Sequence, residues 1–405
     1  MPHELPPPIL ISPEGSFAWD VFHRRHPVLI ESLLAALPYG PEQVRALRAL
    51  LDESLDGVIT PLADDAPDAA QWHGPWDRGH YGKPWADTPF LWAESYFFRR
   101  ILAATGYYGG SGSGSGWGSA EPAWAGVDPY QPMKDAELAD PALEAAFAWY
   151  GALEGAEPER RFAALVEAAV LGNRADLVFQ VTETVEGYAA VNPPLADDTG
   201  GIRSRLLAAR GGTQVAGPRV AVICDNSGRE LLADLLLADE LLGPASLAAV
   251  VELHVKPAPY YISDATATDF GKALRRLRGM PAALGAAGQR LFAHAAAGRL
   301  RAQTHPFWCS PLSFHDLPAD LRAGLDGRFL LVKGDLNYRR LVGDRWWDPT
   351  TPFADTVRHL GLPVAALRAA KSDVVVGLSR GQVERLDKTE PDWRLNGRHS
   401  LVQTA

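Results

Sequence analysis

Hydrophobic positions recur at helical spacing through the first half of the chain and in short β-branched runs through the second. In 17–37, Val21, Val28, Leu29 and Leu33 fall on one stripe, which predicts a helix. Pro41 suits the first turn of a second helix running to about residue 51. A third, over 90–104, is rich in aromatics (Phe90, Trp92, Tyr96, Phe97, Phe98) and carries Glu94, Arg99 and Arg100. Two more are expected over 141–154 and 157–171. Beyond residue 217 the period changes. Strands are predicted at 220–224, 247–255, 329–333 and 373–378, with helices at 230–242 and 267–278. Strands that alternate with helices imply an α/β protein. The expected form is a three-layer α/β/α sandwich with a mostly parallel sheet, preceded by a helical N-terminal region. Turn formers cluster between Pro193 and Gly217. They divide a mainly helical region, 1–205, from an α/β catalytic domain, 206–405. The Gly/Ser run at 109–119 reads as a flexible loop.

Composition narrows the class. The 405 residues are 47% hydrophobic and 22% charged, as in ordinary globular proteins. A net charge of −10 argues against a nucleic-acid binder, which needs a basic face. The two cysteines, Cys224 and Cys309, imply no disulfide framework. No apolar run reaches membrane length and no signal peptide is visible, so the expectation is a cytoplasmic enzyme without membrane or nucleic-acid partners.

Polar residues gather at the predicted strand ends. Strand 220–224 runs into Asp225-Asn226-Ser227-Gly228, strand 247–255 into a loop holding Asp264, and strand 329–333 into Gly334-Asp335-Leu336-Asn337-Tyr338-Arg339-Arg340. Arg368 and Lys371 precede the last strand. In a parallel sheet the first three clusters share one rim, where ligands of such folds bind. Asp225, Asn226 and Asp264 are hard oxygen donors, suited to a divalent ion. The cations beside them suit a phosphate. Each piece has a plainer reading. Asp225, Asn226 or Asp264 could cap a helix, Asp335 and Asn337 could be turn residues, and Arg339 and Arg340 could lie on a solvated face. The joint placement favours the site. No Gly-x-Gly-x-x-Gly follows a strand, and there is no P-loop.

Asp225-Asn226-Ser227-Gly228-x-Glu230-Leu231, Ser263-Asp264-x-Thr266 and Lys333-Gly334-Asp335-Leu336-Asn337-Tyr338-Arg339-x-Leu341-x-Gly343-Asp344 resemble the metal-dependent damage-control phosphatases. Within them they are most similar to the acidic residue methyltransferase-like branch. Ser16-Phe17-Ala18-Trp19 with Arg25 and Pro27, Glu94 to Arg100, and Leu171-Gly172-Asn173-Arg174-Ala175-Asp176-Leu177 are similar to further family elements.

The resemblance implies an α/β/α sandwich and a divalent ion (Mn²⁺, Co²⁺, Ni²⁺ or Mg²⁺) on Asp225, Asn226 and Asp264. It implies a small phosphorylated sugar, such as fructose 1-phosphate or fructose 6-phosphate, met by Asp335, Leu336, Asn337, Tyr338, Arg339 and Lys371. Glu94 and Asn173 are expected at the substrate lip. The expected reaction is phosphomonoester hydrolysis by water. Lys371 and Arg339 offset charge, and Asp335 orients the water or protonates the leaving oxygen. One departure stands out: the branch carries Arg-Thr-x-Lys where this chain has Arg368-Ala369-Ala370-Lys371. Two alternatives stay open, an S-adenosylmethionine-dependent protein carboxyl methyltransferase and a sugar-phosphate-binding protein without turnover.

Overall fold

A computed structural model describes residues 5–109, 124–172, 192–210 and 217–405. Most of the Gly/Ser run, and Asn173 with the residues around it, lie outside the described residues. Seven strands form one sheet: β1 (Ala196–Asp197), β2 (Arg219–Ile223), β3 (Val250–His254), β4 (Leu300–Gln303), β5 (Arg328–Lys333), β6 (Val364–Ala369) and β7 (Ser400–Thr404). Their order is β1-β7-β6-β5-β2-β3-β4. All neighbours are parallel except β6 and β7.

Alternation along the strands builds the sandwich. Ala221, Ile223, Leu330, Val332, Val364 and Ala366 join a core with the helices His26–Ala36, Pro41–Asp56 and Phe90–Thr105. Val220, Val222, Phe329, Leu331, Ala365 and Leu367 face the opposite way. They pack with the helices Pro158–Gly172, Gly228–Leu242, Ala267–Gly279 and Ala282–Ala296. Side chains of successive strand residues point to opposite faces, so one apolar strand feeds two cores. Both cores draw residues from before and after residue 205.

Three expectations need correction. The stretch 373–378 buries its valines but joins no ladder; the strand beside β5 is β6, nine residues earlier. Side chains take two of its carbonyls, with Arg368 Nη1 donating to that of Val374 (2.5 Å) and Gln403 Nε2 to that of Val376 (2.8 Å), while the N–H groups of Gly377 and Leu378 donate to the carbonyls of Thr351 and Pro349. The run 17–37 is not a single α-helix. An α-helical turn, Phe17–Asp20, passes into a π-helical segment, Val21–Arg25, before the α-helix from His26. Pro27 in the first turn of that helix cannot donate, and the His26 N–H reaches back to the Val21 carbonyl. The run 141–154 is a short α-helix, Ala142–Ala146, followed by a 3-10 segment, Ala148–Leu153.

The chain runs from β2 to β3 and β4 on one side, then returns to place β5 and β6 on the other. The direction of winding therefore reverses between β2 and β5. Crevices open beyond the carboxyl ends of strands at such a point.

Candidate functional site

The residues following β2 and β5 meet in that crevice. Ile223 pairs with Val332, which puts Asp225 beside Gly334 two residues on. Gly334 has φ +83°, and a Cβ there would fall 1.7 Å from Asp225 Oδ2. Only glycine leaves room for the carboxylate. Asn337, one turn into the helix Asp335–Val342, donates Nδ2 to the carbonyls of Cys224 (3.0 Å) and Lys333 (2.9 Å). It also donates to Asp225 Oδ1 at 3.4 Å, so the two strand ends are tied around this carboxylate.

Asn226 is held at both ends of its amide. Its Nδ2 donates to Glu230 Oε2 (2.9 Å), and its Oδ1 accepts from Ser263 Oγ (2.6 Å). Glu230 also accepts from Lys333 Nζ (2.9 Å), and Asp234 lies 3.1 Å from that ammonium. The loop after β3 is pinned against the same rim. Ser227 N–H donates to the Ser263 carbonyl and Ala265 N–H to that of Asp225. Asp264 is buried, with its Oδ2 accepting from Tyr261 N–H (3.2 Å) and lying 3.8 Å from Lys256 Nζ. Helix capping does not explain these side chains. Ser227 occupies the N-cap of one helix, and Thr266 with Asp269 forms the capping box of the next.

Across the crevice, Asp335 Oδ1 gathers three donors: Arg368 Nη2 (2.5 Å), Lys371 N–H (3.1 Å) and Ser372 Oγ (3.2 Å). The alanine at 369 is fully buried, and a hydroxyl reaches this carboxylate from Ser372. Arg339 is buried, not solvated. Its guanidinium bonds Asp344 (2.8 and 3.0 Å) and Glu94 (3.1 Å) and lies over the Phe90 ring. Burial alone would lower its pKa; Asp344 and Glu94 outweigh that and raise it. Glu94 shifts upward because of its own burial, against the pull of Arg339. Its Oε2 also accepts from Tyr261 Oη at 3.2 Å. Arg340 is structural, holding the carbonyls of Phe307, Trp308 and Leu312.

Asp225, Asn226, Asp264, Asp335, Leu336, Arg339, Lys371 and Glu94 line one cleft of about 840 Å³, counting its open mouth. Asn337 and Tyr338 are not among its lining residues; both are fully buried, and Tyr338 Oη donates to Gln403. Phe17, Val21, Leu29 and Phe98 supply an apolar wall, so the N-terminal helices complete the site. Sequence reasoning gave no role to Tyr261 or His26, which also line it. It also missed that Arg368 holds Asp335, although Arg368 stood in the cationic run beside Lys371.

Residues 21–386 match the damage-control phosphatase ARMT1-like domain. The chain belongs to the ARMT1-like damage-control phosphatase family. It is 28% identical to the damage-control phosphatase ARMT1 of Danio rerio, across 98% of this chain and 97% of the relative. The Mus musculus protein of that name is also 28% identical, over 96% of each chain. That of Homo sapiens is 34% identical over 47% of this chain and 44% of its own.

In this family member, no group of three or more His, Cys, Asp or Glu side chains is arranged for a metal among the described residues. Asp225, Asn226 and Asp264 differ from such a group in offering two carboxylates and one amide. With Asn226 Nδ2 held by Glu230 and its Oδ1 accepting from Ser263 Oγ, the lone pair the amide has left is on oxygen. That donor chemistry fits a hard divalent cation. No helix among the described residues is long and apolar enough to cross a membrane.

Proposed function

We propose that the chain is a divalent-metal-dependent phosphomonoester hydrolase whose substrates are small phosphorylated sugars, such as fructose 1-phosphate or fructose 6-phosphate. The convergence of Asp225, Asn226 and Asp264 with Asp335, Lys371, Arg339 and Glu94 on one cleft carries this reading. The relatives, damage-control phosphatases by name, support the phosphatase part of it.

Asp225, Asn226 and Asp264 would hold the cation, which when bound neutralises phosphoryl oxygens and activates water. The remaining chemistry belongs to the chain. Lys371 places an ammonium at the phosphate and offsets charge as the bond to phosphorus breaks. Three donors converge on Asp335 Oδ1, which leaves Oδ2 to orient the water, or to take the water's proton and pass it to the departing sugar oxygen. Arg339 is committed to Asp344 and Glu94, so its role is to position the Glu94 carboxylate for a sugar hydroxyl. Phe17, Val21, Leu29 and Phe98 keep bulk water from the reacting face, which strengthens each of these interactions.

The test is release of phosphate by metal-stripped protein from fructose 1-phosphate, fructose 6-phosphate and p-nitrophenyl phosphate, with Mn²⁺, Co²⁺, Ni²⁺ or Mg²⁺ restored in turn. Metal-dependent release is expected. Folded protein that releases nothing with any metal, while binding S-adenosylmethionine in a calorimeter, would replace this reading with the methyltransferase one.

A further inference from the structure

A second cleft, of about 680 Å³ with its open mouth, lies on the sheet flank at the β3–β4 edge. It shares no lining residue with the catalytic cleft. Its floor is one face of four strands. Glu252 on β3 pairs in register with Arg301 on β4, and Arg219 on β2 with Arg328 on β5. Arg219 and Arg328 both hydrogen-bond the buried Glu252 carboxylate, and Arg301 Nη1 stands 4.0 Å from it. Three guanidinium groups thus surround one carboxylate. The other acid at the cleft, Asp320, is exposed and bonded to His305 Nε2 at 3.2 Å. The cleft is therefore net positive.

Polar groups there are also under-used. Arg219 Nε is buried without a hydrogen-bond partner, as are both ring nitrogens of His254. His254 lies two residues along β3 from Glu252, so it shares the same face, and it pairs in register with the exposed Gln303. Native proteins seldom leave several buried polar atoms unpaired in one place unless water, a ligand or an ion completes them. Planar guanidinium groups match the oxygens of a phosphate, and an amide beside them adds a neutral donor.

We propose that this cleft binds a small dianionic oxyanion, a phosphate group, at a site distinct from the catalytic one. Arg301 and Arg219 supply the charge and Gln303 a further donor, while Glu252 keeps the guanidinium groups from moving apart. The ligand is free phosphate or the phosphoryl group of a metabolite.

The probe is inorganic phosphate, titrated calorimetrically into the full metal-stripped chain carrying Lys371→Ala, which weakens anion binding in the catalytic cleft. Binding should persist in that variant. Adding Arg301→Ala should weaken it about tenfold or more, the loss of one charge-assisted contact. Arg301 is nearly half exposed and Arg219 and Arg328 still neutralise Glu252, so the variant should fold. Gln303→Ala provides a second, milder test at an exposed position. Titration with glycerol 3-phosphate separates the sources: tighter binding than inorganic phosphate assigns an ester, equal binding assigns free phosphate. Absence of binding in the Lys371→Ala chain up to about 10 mM would overturn the proposal. So would binding that Arg301→Ala and Gln303→Ala both leave unchanged.

Discussion

Glu230 does not line the cleft that holds Asp225 and Asn226, yet under the proposed function activity depends on it. Its two oxygens do different work: Oε2 accepts from Asn226 Nδ2 and Oε1 from Lys333 Nζ, both at 2.9 Å. Glu230→Gln preserves shape and replaces one acceptor by a donor. The new amide then faces either the ammonium or the Asn226 amide with an N–H. If it keeps its oxygen on Lys333, Asn226 keeps only Ser263, whose hydroxyl can donate or accept, so the amide can turn its nitrogen toward the proposed metal position. Removing an outer partner of this kind costs about 10–100-fold in metal affinity or activity. Stability falls too, because a buried ammonium loses a carboxylate. The full penalty for breaking a buried pair is about 3–5 kcal/mol. Asp234 stays 3.1 Å from Lys333, and its pKa is held up by burial and by the nearby Glu230 charge. Neutralising Glu230 favours ionised Asp234, so the net loss should be nearer about 2 kcal/mol. Urea unfolding measures that term. Initial rates against Mn²⁺ concentration measure the other, with half-activation expected at about 10–100-fold higher metal. A folded Glu230→Gln protein with unchanged rate and unchanged metal requirement would refute the claim that Glu230 orients Asn226.

Gly334→Ala should leave soluble protein with little or no turnover, because the added methyl would displace the Asp225 carboxylate and the backbone sits at φ +83°; activity and metal binding by calorimetry check it, and near-normal values would contradict it. His26 stacks on Phe97 at 3.8 Å with both ring nitrogens buried and unbonded, and burial lowers its pKa from 6.5 to about 3. The unfolded chain therefore binds a proton below pH 6.5 that the folded chain refuses until about pH 3, so stability drains as pH falls through that window, by about 1.4 kcal/mol per unit. His26→Phe should make unfolding less acid-sensitive by about 2 kcal/mol at pH 5, read from urea midpoints at pH 5 and 7; an unchanged pH dependence would contradict it.

The sequence made the architecture legible wherever local chemistry and tertiary context agree. β2 and β5 are buried beyond their first residue, with turn chemistry at their carboxyl ends, and they appear where their pattern puts them. β6 was hidden because Val-Ala-Ala-Leu-Arg-Ala has weak strand preference and an arginine that would ordinarily face solvent. That Arg368 is fully buried, its charge met by Asp335 and its face by the Tyr338 ring. The neighbouring Val374-Val375-Val376 has the stronger strand pattern but finds side chains, not a strand, as partners. β4 escaped because its Leu-Arg-Ala-Gln sits at the sheet edge beside an exposed cleft.

Of the candidate site, the meeting of Asp225, Asn226 and Asp335 in one cleft was readable because they follow strands directly, whereas Asp264 lies on a loop beyond β3. The wall from Phe17, Val21 and His26 was not, since nothing local says that helices two hundred residues earlier close over β2. The roles of Glu230 and Asn337 were equally out of reach. Each acts through a contact between strand ends that exists only once the sheet has formed.

The most direct test is a titration of metal-stripped protein with Mn²⁺, followed simultaneously by calorimetry and by phosphate release from fructose 1-phosphate. The account predicts that activity rises with occupancy of a single site, and that Asp225→Ala and Asp264→Ala, both still folded, lose binding and turnover together. Turnover that persists in those variants, or that appears without bound metal, would contradict it.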